Sequence, residues 1–399
     1  MRSGFRLVLL AIGTFRVWAT ASAQASPSFQ FQFTEAPAQY AVGIKIVDQY
    51  DRSRDFQDGT EPSQGKRPLQ TLVWYPAEKS NGKSMTVGDY AELIKTETSF
   101  DKPIESGKPQ AFVEAFTKGT TGQHVWAVRD ATMKMGHFPV VIYAPSVNAP
   151  ATENIELCEY LASGGFVVIS SASMGATSRT MTVDVTGANA EAQDISFLID
   201  YAGSLPDAET SKIAAMGYSW GGMGALFAAA RDKRIRVLIS LYGSFRYAPE
   251  TVQQAGNIQP DQMTIPLLVF SRAEETLGAW DAMRKDREHC TTAPNVLNEW
   301  THGDLVSVQM LAMSHIQFSS LYQRSERFRK EAMRFAPADY SLEEGAISYN
   351  WMARYVLEFL NAYLNNDDMA RSFLARGPVE NGVPKHLLSA SIRPEAKRE

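Results

Sequence analysis

A glycine-rich turn around a serine is the part of this sequence best suited to chemistry. Gly217-Tyr218-Ser219-Trp220-Gly221 follows an apolar run and precedes a run of small residues. A strand, a tight Gly-x-Ser-x-Gly turn and a helix would strain the serine backbone and present its hydroxyl where helix N–H groups can receive an oxyanion. The pattern predicts that Ser219 is the nucleophile of an acyl transfer, against the alternative that it only caps a helix.

A serine hydroxyl needs a general base, because it is a poor nucleophile at neutral pH. In folds with this turn the chain order is serine, acid, histidine, which leaves four histidines to consider. We favour His315, which follows the last strand region, with His302 as the second choice. His289 lies in a charged, solvated stretch and His386 in a tail with proline and glycine, so both are read as surface residues.

The acid that orients the histidine should follow a parallel strand beyond the serine. The strand predicted over 236–242 leads into a segment without a carboxylate, whereas the strand over 265–270 leads into Ser-Arg-Ala-Glu-Glu. Glu274 is therefore the predicted acid, and the adjacent Glu275 remains the alternative. Both could instead cap the following helix, because the dipole at a helix N-terminus favours acidic residues.

The oxyanion needs two backbone N–H donors. One is expected from Trp220, directly after the nucleophile, and the other from the loop that follows the strand over 138–143. Val147 is the candidate in that loop, since Pro145 has no N–H to donate.

The elements that must position these residues alternate between strand and helix from residue 137 onward. Continuous apolar strands separated by helices predict an α/β fold with a mostly parallel sheet covered on both faces. The remaining predicted strands are 166–170 and 213–216, with 296–300 as a candidate last strand, and the predicted helices are 152–163, 187–203 and 347–364.

The first part of the chain differs in character. Residues 39–77 predict two strands around a long hydrophilic hairpin. Residues 78–134 are polar and irregular, with short helical stretches around 88–97 and 108–118, and are interpreted as an insertion near the entrance of the site.

The N-terminus predicts a secretory signal peptide over residues 1–25, followed by a single domain over 26–399. Arg2 and Arg6 precede a short apolar run, and Ala23-Gln24-Ala25 fits a cleavage site. The apolar run is too short for a stable membrane span, although a retained N-terminal anchor is the alternative. We therefore expect a secreted or periplasmic protein.

Charge and cysteine content exclude several classes of protein. Removing residues 1–25 deletes three arginines and no acidic residue, which moves the formal charge from −5 to −8. A mildly acidic chain without a basic cluster argues against a nucleic-acid partner. Cys158 and Cys290 make no disulfide framework and have no metal-site spacing, so no metal or cofactor is expected and a single bridge between them stays open.

The motifs together resemble the dienelactone hydrolase-like α/β-hydrolases, and more closely the branch related to platelet-activating-factor acetylhydrolase. The resemblance lies in the Gly-Tyr-Ser-Trp-Gly-Gly turn, the Ser–Glu–His order and Met-Ser-His-Ile-Gln-Phe at 313–318. Val42-Gly43-Ile44 and Trp74-Tyr75-Pro76 are similar to segments of secreted bacterial members. The resemblance implies an α/β-hydrolase fold and a cofactor-free serine triad.

This sequence departs from that group at three places. Pro145-Ser146 stands where many relatives carry His-Gly, which leaves the second oxyanion donor less defined. Ser219 replaces the cysteine of dienelactone hydrolases proper. Tyr242 stands where the acetylhydrolase branch places its aspartate, so the acid would have moved to Glu274.

Three functions are compatible with these residues. The first is a carboxylic-ester hydrolase that acts through an acyl-enzyme on a small-molecule or lipid-like ester. The second is a peptidase or amidase on the same triad, since the pocket rather than the triad decides the substrate. The third is a non-catalytic binding protein on a hydrolase fold, which predicts a histidine ring far from the Ser219 hydroxyl.

Overall fold

The computed structural model describes residues 29–57, 65–100, 122–272, 293–325 and 339–396, together with parts of 101–121 and 326–338. The predicted signal peptide, Glu274, Glu275, His289 and Cys290 lie outside the described residues. The predicted helical stretch at 108–118 falls there in part.

Strands of the described residues form one mixed sheet. Their bounds are β1 (Ala41–Asp55), β2 (Lys66–Ala77), β3 (Ser84–Thr86), β4 (His124–Arg129), β5 (Phe138–Ala144), β6 (Val167–Ser170), β7 (Ala208–Tyr218), β8 (Ile235–Leu241), β9 (Leu267–Arg272), β10 (Leu305–Met310) and β11 (Leu388–Arg393). The order across the sheet is β11-β10-β9-β8-β7-β5-β6-β2-β1-β4-β3. The run from β6 to β10 is parallel, whereas β2 joins β6 antiparallel.

Helices cover both faces of this sheet. Their bounds are α1 (Val87–Glu92), α2 (Ile155–Ser163), α3 (Val185–Ala202), α4 (Trp220–Arg231), α5 (Pro249–Ala255), α6 (Val296–Glu299), α7 (Ser320–Arg324), α8 (Leu342–Leu364) and α9 (Asp368–Ala375). Short 3₁₀ turns cover Leu93–Lys95, Ser244–Arg246, Pro260–Gln262 and His315–Phe318.

Two hydrophobic cores, one on each face, follow from the alternation of side chains along the strands. Val141 and Tyr143 of β5 pack in the core that contains α2 and α8. Val140 and Ile142 pack in the other core, against α3 and α4. The predicted fold class, a mostly parallel sheet with helices on both faces, is confirmed.

The prediction of a last strand over 296–300 is wrong. This segment forms helix α6, because the Asn295 side chain accepts a hydrogen bond of 3.0 Å from the backbone N–H of Leu297 and starts a helical turn. The strand that continues the parallel sheet is β10, nine residues farther along the chain. The sequence interpretation also missed β4 and β11.

The N-terminal strand pair is bound firmly to the rest of the domain. β1 and β2 are antiparallel, and Ala41 pairs with Ala77 as predicted for a hairpin. Arg67 of β2 is fully buried and forms an ion pair with Asp194 of α3. Its guanidinium also donates to the carbonyl of Met174 at 3.1 Å. A buried charge with these partners fixes the hairpin against α3.

Part of the region read as an insertion joins the sheet. β4 pairs with β1 in parallel, with Gly43 opposite Val128, and β3 pairs with β4. β1 therefore lies between β2 and β4 rather than at the edge of the sheet. Among the described helices, none has the length and apolar character needed to cross a membrane.

Candidate active site

Ser219 occupies a strained turn between β7 and α4. Its backbone has φ +52° and ψ −116°, a conformation that non-glycine residues rarely adopt, and the residue is partly exposed. Backbone hydrogen bonds hold it in place, since its N–H donates to the carbonyl of Leu241 at 3.1 Å and its carbonyl accepts from Ser244 N–H at 2.8 Å. The turn has the form that the Gly-x-Ser-x-Gly pattern predicts.

Glycines around the turn allow backbones to approach closely. A Cβ on Gly217 would overlap the carbonyl oxygen of Gly221, and a Cβ on Gly221 would overlap the carbonyl oxygens of Ala144 and Pro145. Helix α4 therefore begins directly against the loop that follows β5. The strand register agrees with this, because Ala144 pairs with Gly217 at the carboxyl ends of β5 and β7.

His315 lies beside the serine hydroxyl. It begins the 3₁₀ turn after β10, and its Nε2 atom is 3.1 Å from Ser219 Oγ. The hydroxyl of Tyr218 donates to the backbone carbonyl of His315 at 2.8 Å, and the Tyr242 ring packs 4.5 Å from the imidazole, centroid to centroid. A non-catalytic binding protein is expected to hold the histidine ring far from the Ser219 hydroxyl. The 3.1 Å separation of His315 Nε2 and Ser219 Oγ argues against that alternative.

The alternative histidines have other partners. His302 lies 3.2 Å from the hydroxyl of its neighbour Thr301, and His386 lies 2.8 Å from a carboxylate oxygen of Glu344. Neither has a described contact with the serine, so the structure brings His315 and Ser219 together.

The environment of His315 favours the neutral imidazole that a general base requires. Burial, and then the positive charge of Arg272, lower the pKa of His315 to about 4. Its Nδ1 atom is buried and makes no hydrogen bond to the described residues. Because buried polar groups are almost always paired, this atom marks where an orienting acid would bind.

The end of β9 is the place from which an acid could reach that atom. Arg272, the last residue of β9, pairs with Met310 at the end of β10, five residues before His315. After β8, the chain continues through Tyr242, Gly243 and Ser244 without a carboxylate, as the sequence predicts. Glu274 follows Arg272 by two residues and stays a prediction.

The turn at residues 145–148, called here the 145–148 turn, lies opposite the nucleophile and is held at both ends. Ser146 N–H donates to Glu153 Oε2 at 2.8 Å, while Asn148 Oδ1 accepts from Met181 N–H at 2.7 Å. Asn148 has φ +58°, in the left-handed region that asparagine tolerates. Val147 lies between these fixed residues.

Two backbone N–H groups remain available for an oxyanion. The Trp220 N–H is in the first turn of α4, where no helical partner exists. The Val147 N–H makes no hydrogen bond to other described residues. Both agree with the predicted donors, and their use in catalysis stays a prediction.

Comparison with known proteins identifies the family. The model of the X-Pro dipeptidyl-peptidase (S15 family) matches residues 64–326, well over half of the chain. The chain belongs to this family. Ser219 and His315 both lie inside the matched region of this S15 member. The narrower resemblance to dienelactone hydrolases and platelet-activating-factor acetylhydrolases is not confirmed.

A solved structure agrees with the fold of this S15 member. The ferulic acid esterase from Streptomyces cinnamoneus is 19% identical, with a TM-score of 0.60, and the match covers 84% of this chain and 93% of that chain. At this identity the likeness establishes the fold alone. No curated protein matched the chain.

The described residues contain no evident metal-binding cluster. In the described ranges, no group of three or more histidine, cysteine, aspartate or glutamate side chains is arranged to hold a metal ion. Cys158 is a buried free thiol.

The sequence interpretation missed supporting residues of this S15 member. From the sequence, no role is assigned to Tyr218 or to Glu153. The sequence feature that could point to Glu153 is the recurrence of glutamate at every third position, 153, 156 and 159, among apolar residues. Such spacing normally indicates a solvated helix face, but all three are buried.

Proposed function

We propose that this S15 family member hydrolyses carboxylic esters through an acyl-enzyme, with Ser219 as nucleophile, His315 as base and Glu274 as the acid. The observation that carries the proposal is the 3.1 Å distance between His315 Nε2 and the hydroxyl of Ser219, a partly exposed residue with a strained backbone. A neutral histidine in hydrogen-bond contact with a serine is the arrangement that activates a hydroxyl. The unpartnered Nδ1 supports an acid behind it.

The reaction follows from these positions. Ser219 Oγ attacks the ester carbonyl carbon as its proton passes to His315 Nε2, and the oxyanion accepts hydrogen bonds from Trp220 and Val147 N–H. His315 then gives the proton to the leaving alcohol as the ester C–O bond breaks. Water attacks the acyl-enzyme by the same steps and releases the carboxylic acid and the free serine. Glu274 orients His315 and stabilises its charged form.

Peptide hydrolysis is the second candidate, and the family description favours it directly. Dipeptidyl-peptidases of this description act after an X-Pro pair, and the same triad would serve. Ester hydrolysis is preferred here because the structural neighbour is named an esterase.

The first experiment combines labelling with a substrate comparison. A fluorophosphonate should label Ser219, and p-nitrophenyl esters of graded acyl length should be cleaved with a higher kcat/KM than X-Pro p-nitroanilides. Ser219→Ala should lose labelling and at least about 10³-fold in kcat. Unlabelled protein, or an active Ser219→Ala variant, rejects the proposal, whereas faster cleavage of the anilides selects the peptidase.

The acid is assigned by a matched pair of neighbouring variants. Glu274→Gln should lower kcat by roughly 10³-fold, because a neutral partner no longer holds the required histidine tautomer. Glu275→Gln changes the same functional group one residue away and should stay within about two-fold. The reverse result would assign the acid to Glu275, and two active variants would exclude both.

A further inference from the structure

Glu153, two residues before α2, is fully buried beneath the 145–148 turn. Its carboxylate accepts hydrogen bonds from the Ser146 N–H at 2.8 Å, from the Ser146 hydroxyl and from the Tyr143 hydroxyl at 3.0 Å. Tyr322 also contributes a side-chain hydrogen bond. Side chains and backbone from β5, the 145–148 turn and α7 therefore converge on a single carboxylate.

The same residue reaches the other side of the site through its backbone. Its carbonyl accepts from the Ser319 hydroxyl at 3.0 Å and from Leu321 N–H at 3.1 Å. Both donors follow the 3₁₀ turn that begins at His315. Asn154 strengthens this link, because its side-chain amide donates to Phe318 carbonyl at 3.2 Å and accepts from Ser320 N–H at 2.8 Å.

We propose that Glu153 is a positioning residue that fixes the 145–148 turn and the His315 turn relative to each other, so that the Val147 N–H and the His315 base face the same substrate carbonyl. This role rests on the proposed serine hydrolase function. Glu153 then affects the transition state through the position of the 145–148 turn and does not touch the substrate.

The carboxylate is suited to this task because of its acceptor capacity. Above its pKa of about 7, the Glu153 carboxylate accepts from several donors through two oxygens, whereas an amide offers one acceptor oxygen and adds two N–H donors. In Glu153→Gln, an amide N–H would face either the Ser146 backbone N–H, which cannot accept, or the Ser146 hydroxyl, which would have to accept and would lose its own acceptor. The 145–148 turn would then shift, since buried donors do not stay unpaired without cost.

The expected effect falls on kcat. A displacement of an oxyanion donor by a fraction of its hydrogen-bond length weakens transition-state binding more than substrate binding. Glu153→Gln should therefore lower kcat by about 10–100-fold and leave KM within about two-fold. Inhibition by an aryl trifluoromethyl ketone, whose adduct with serine carries an oxyanion, should weaken in parallel with kcat/KM.

Glu159→Gln is the matched control. Glu159 lies on α2, six residues after Glu153, is equally buried, and accepts hydrogen bonds from the Tyr90 hydroxyl and the Trp126 N–H at 2.6 Å each. It has no described contact with the 145–148 turn or the His315 turn. This variant should keep kcat within about two-fold of wild type while it carries the same chemical change.

Ser146→Ala provides a test that does not depend on the folding of Glu153→Gln. It removes the hydroxyl that donates to the carboxylate and keeps the backbone N–H. We expect a smaller fall in kcat, about 3–10-fold, with KM unchanged. The double variant should be no slower than Glu153→Gln, because both changes act on one contact.

The outcomes separate this role from the proposed function. If wild type cleaves esters but folded Glu153→Gln keeps kcat within two-fold, the positioning role is wrong and the esterase proposal stands. An unchanged kcat in Ser146→Ala, or an equal loss in Glu159→Gln, also rejects the role. If wild type is neither labelled at Ser219 nor active on any ester, the proposed function fails and this inference fails with it.

Discussion

The two sides of the nucleophile are stabilised in different ways. On one side, the turn that carries Ser219 is fixed by backbone geometry, since glycines at 217 and 221 let β7, α4 and the end of β5 touch. On the other side, the 145–148 turn is fixed by side-chain hydrogen bonds, from the Ser146 N–H to the Glu153 carboxylate at one end and from the Met181 N–H to the Asn148 side chain at the other. Close backbone packing fixes the first side and side-chain hydrogen bonds fix the second.

This difference has consequences for substitution and for pH. On the serine side, any added side-chain atom should overlap the backbone, because the backbones are already in close contact there. A side held by a buried carboxylate should respond to charge and hydrogen bonding, and therefore to pH. Each prediction below tests one half of this contrast.

The largest effect is expected from Gly221→Ala. The added methyl group would overlap the carbonyl oxygens of Ala144 and Pro145, so either the helix or the 145–148 turn must move. We expect a loss of about 3 kcal/mol in the free energy of unfolding and a strong loss of kcat. Urea unfolding and ester kinetics measure the two effects.

Gly122→Ala is the control for this substitution. A Cβ at Gly122 would meet no atom within 4 Å, so stability and kcat should stay close to wild type. If Gly221→Ala were as stable and active as Gly122→Ala, close backbone contact would not be what fixes the serine side.

The second prediction concerns pH. Burial raises the pKa of Glu153 to about 7, so the folded protein keeps a proton there that the unfolded chain releases near its ordinary pKa of 4.5. Stability from this group is therefore complete below about pH 4.5 and is lost as pH rises through 7. The contribution of Glu153 to the free energy of unfolding should fall by up to about 3 kcal/mol over this window.

Urea titrations at pH 5, 6, 7 and 8 measure this fall. Burial also raises the pKa of Glu159 to about 7 and of Glu191 to about 8, which adds to this fall. The lowered pKa of His315, about 4, acts in the opposite direction and makes stability rise between about pH 4 and 6.5, so the Glu153 effect is taken as the difference between wild type and Glu153→Gln. Glu153→Gln and Glu159→Gln should each flatten the slope, but only the first should lower kcat. A Glu153→Gln variant whose stability has the same pH dependence as wild type would contradict the assignment.

The smallest effect is expected from Tyr218→Phe. It removes the hydroxyl that donates to the His315 carbonyl, a hydrogen bond from the serine motif to the backbone of the base. A neutral hydrogen bond contributes about 1 kcal/mol, so we expect roughly a five-fold fall in kcat. Tyr75→Phe is the control, since its hydroxyl also donates to a backbone carbonyl at 2.8 Å, but that of Ala131. Equal effects from both variants would mean that the Tyr218 contact does not position the base.

The same contrast explains how much could be predicted from the sequence. The parallel sheet, the strained turn at Ser219 and the pairing with His315 follow from local patterns and from the chain order of the motif. Glycine spacing and apolar periodicity record these features directly. Val147 is named as a donor because the loop after β5 lies next to the serine turn in such sheets, and its use as a donor stays a prediction.

Other features could not be predicted, for identifiable reasons. Val296 and its neighbours have strand-like composition, but Asn295 caps a helical turn there. β11 pairs with β10 across some eighty residues of chain, which no local pattern encodes. The role of Glu153 depends on Ser146 and on Ser319, which lies 166 residues beyond it. A buried glutamate and a surface glutamate have the same appearance in a single sequence.

The central position of β1 sets a limit on where this protein can be divided for recombinant work. The family match begins at residue 64, which would suggest a fragment starting there. Such a fragment would lack β1 and leave β2 and β4 as facing, unpaired edges inside the sheet. Open edges of this kind favour intermolecular strand pairing and aggregation, so residues 41–55 belong in any expressed version of the domain.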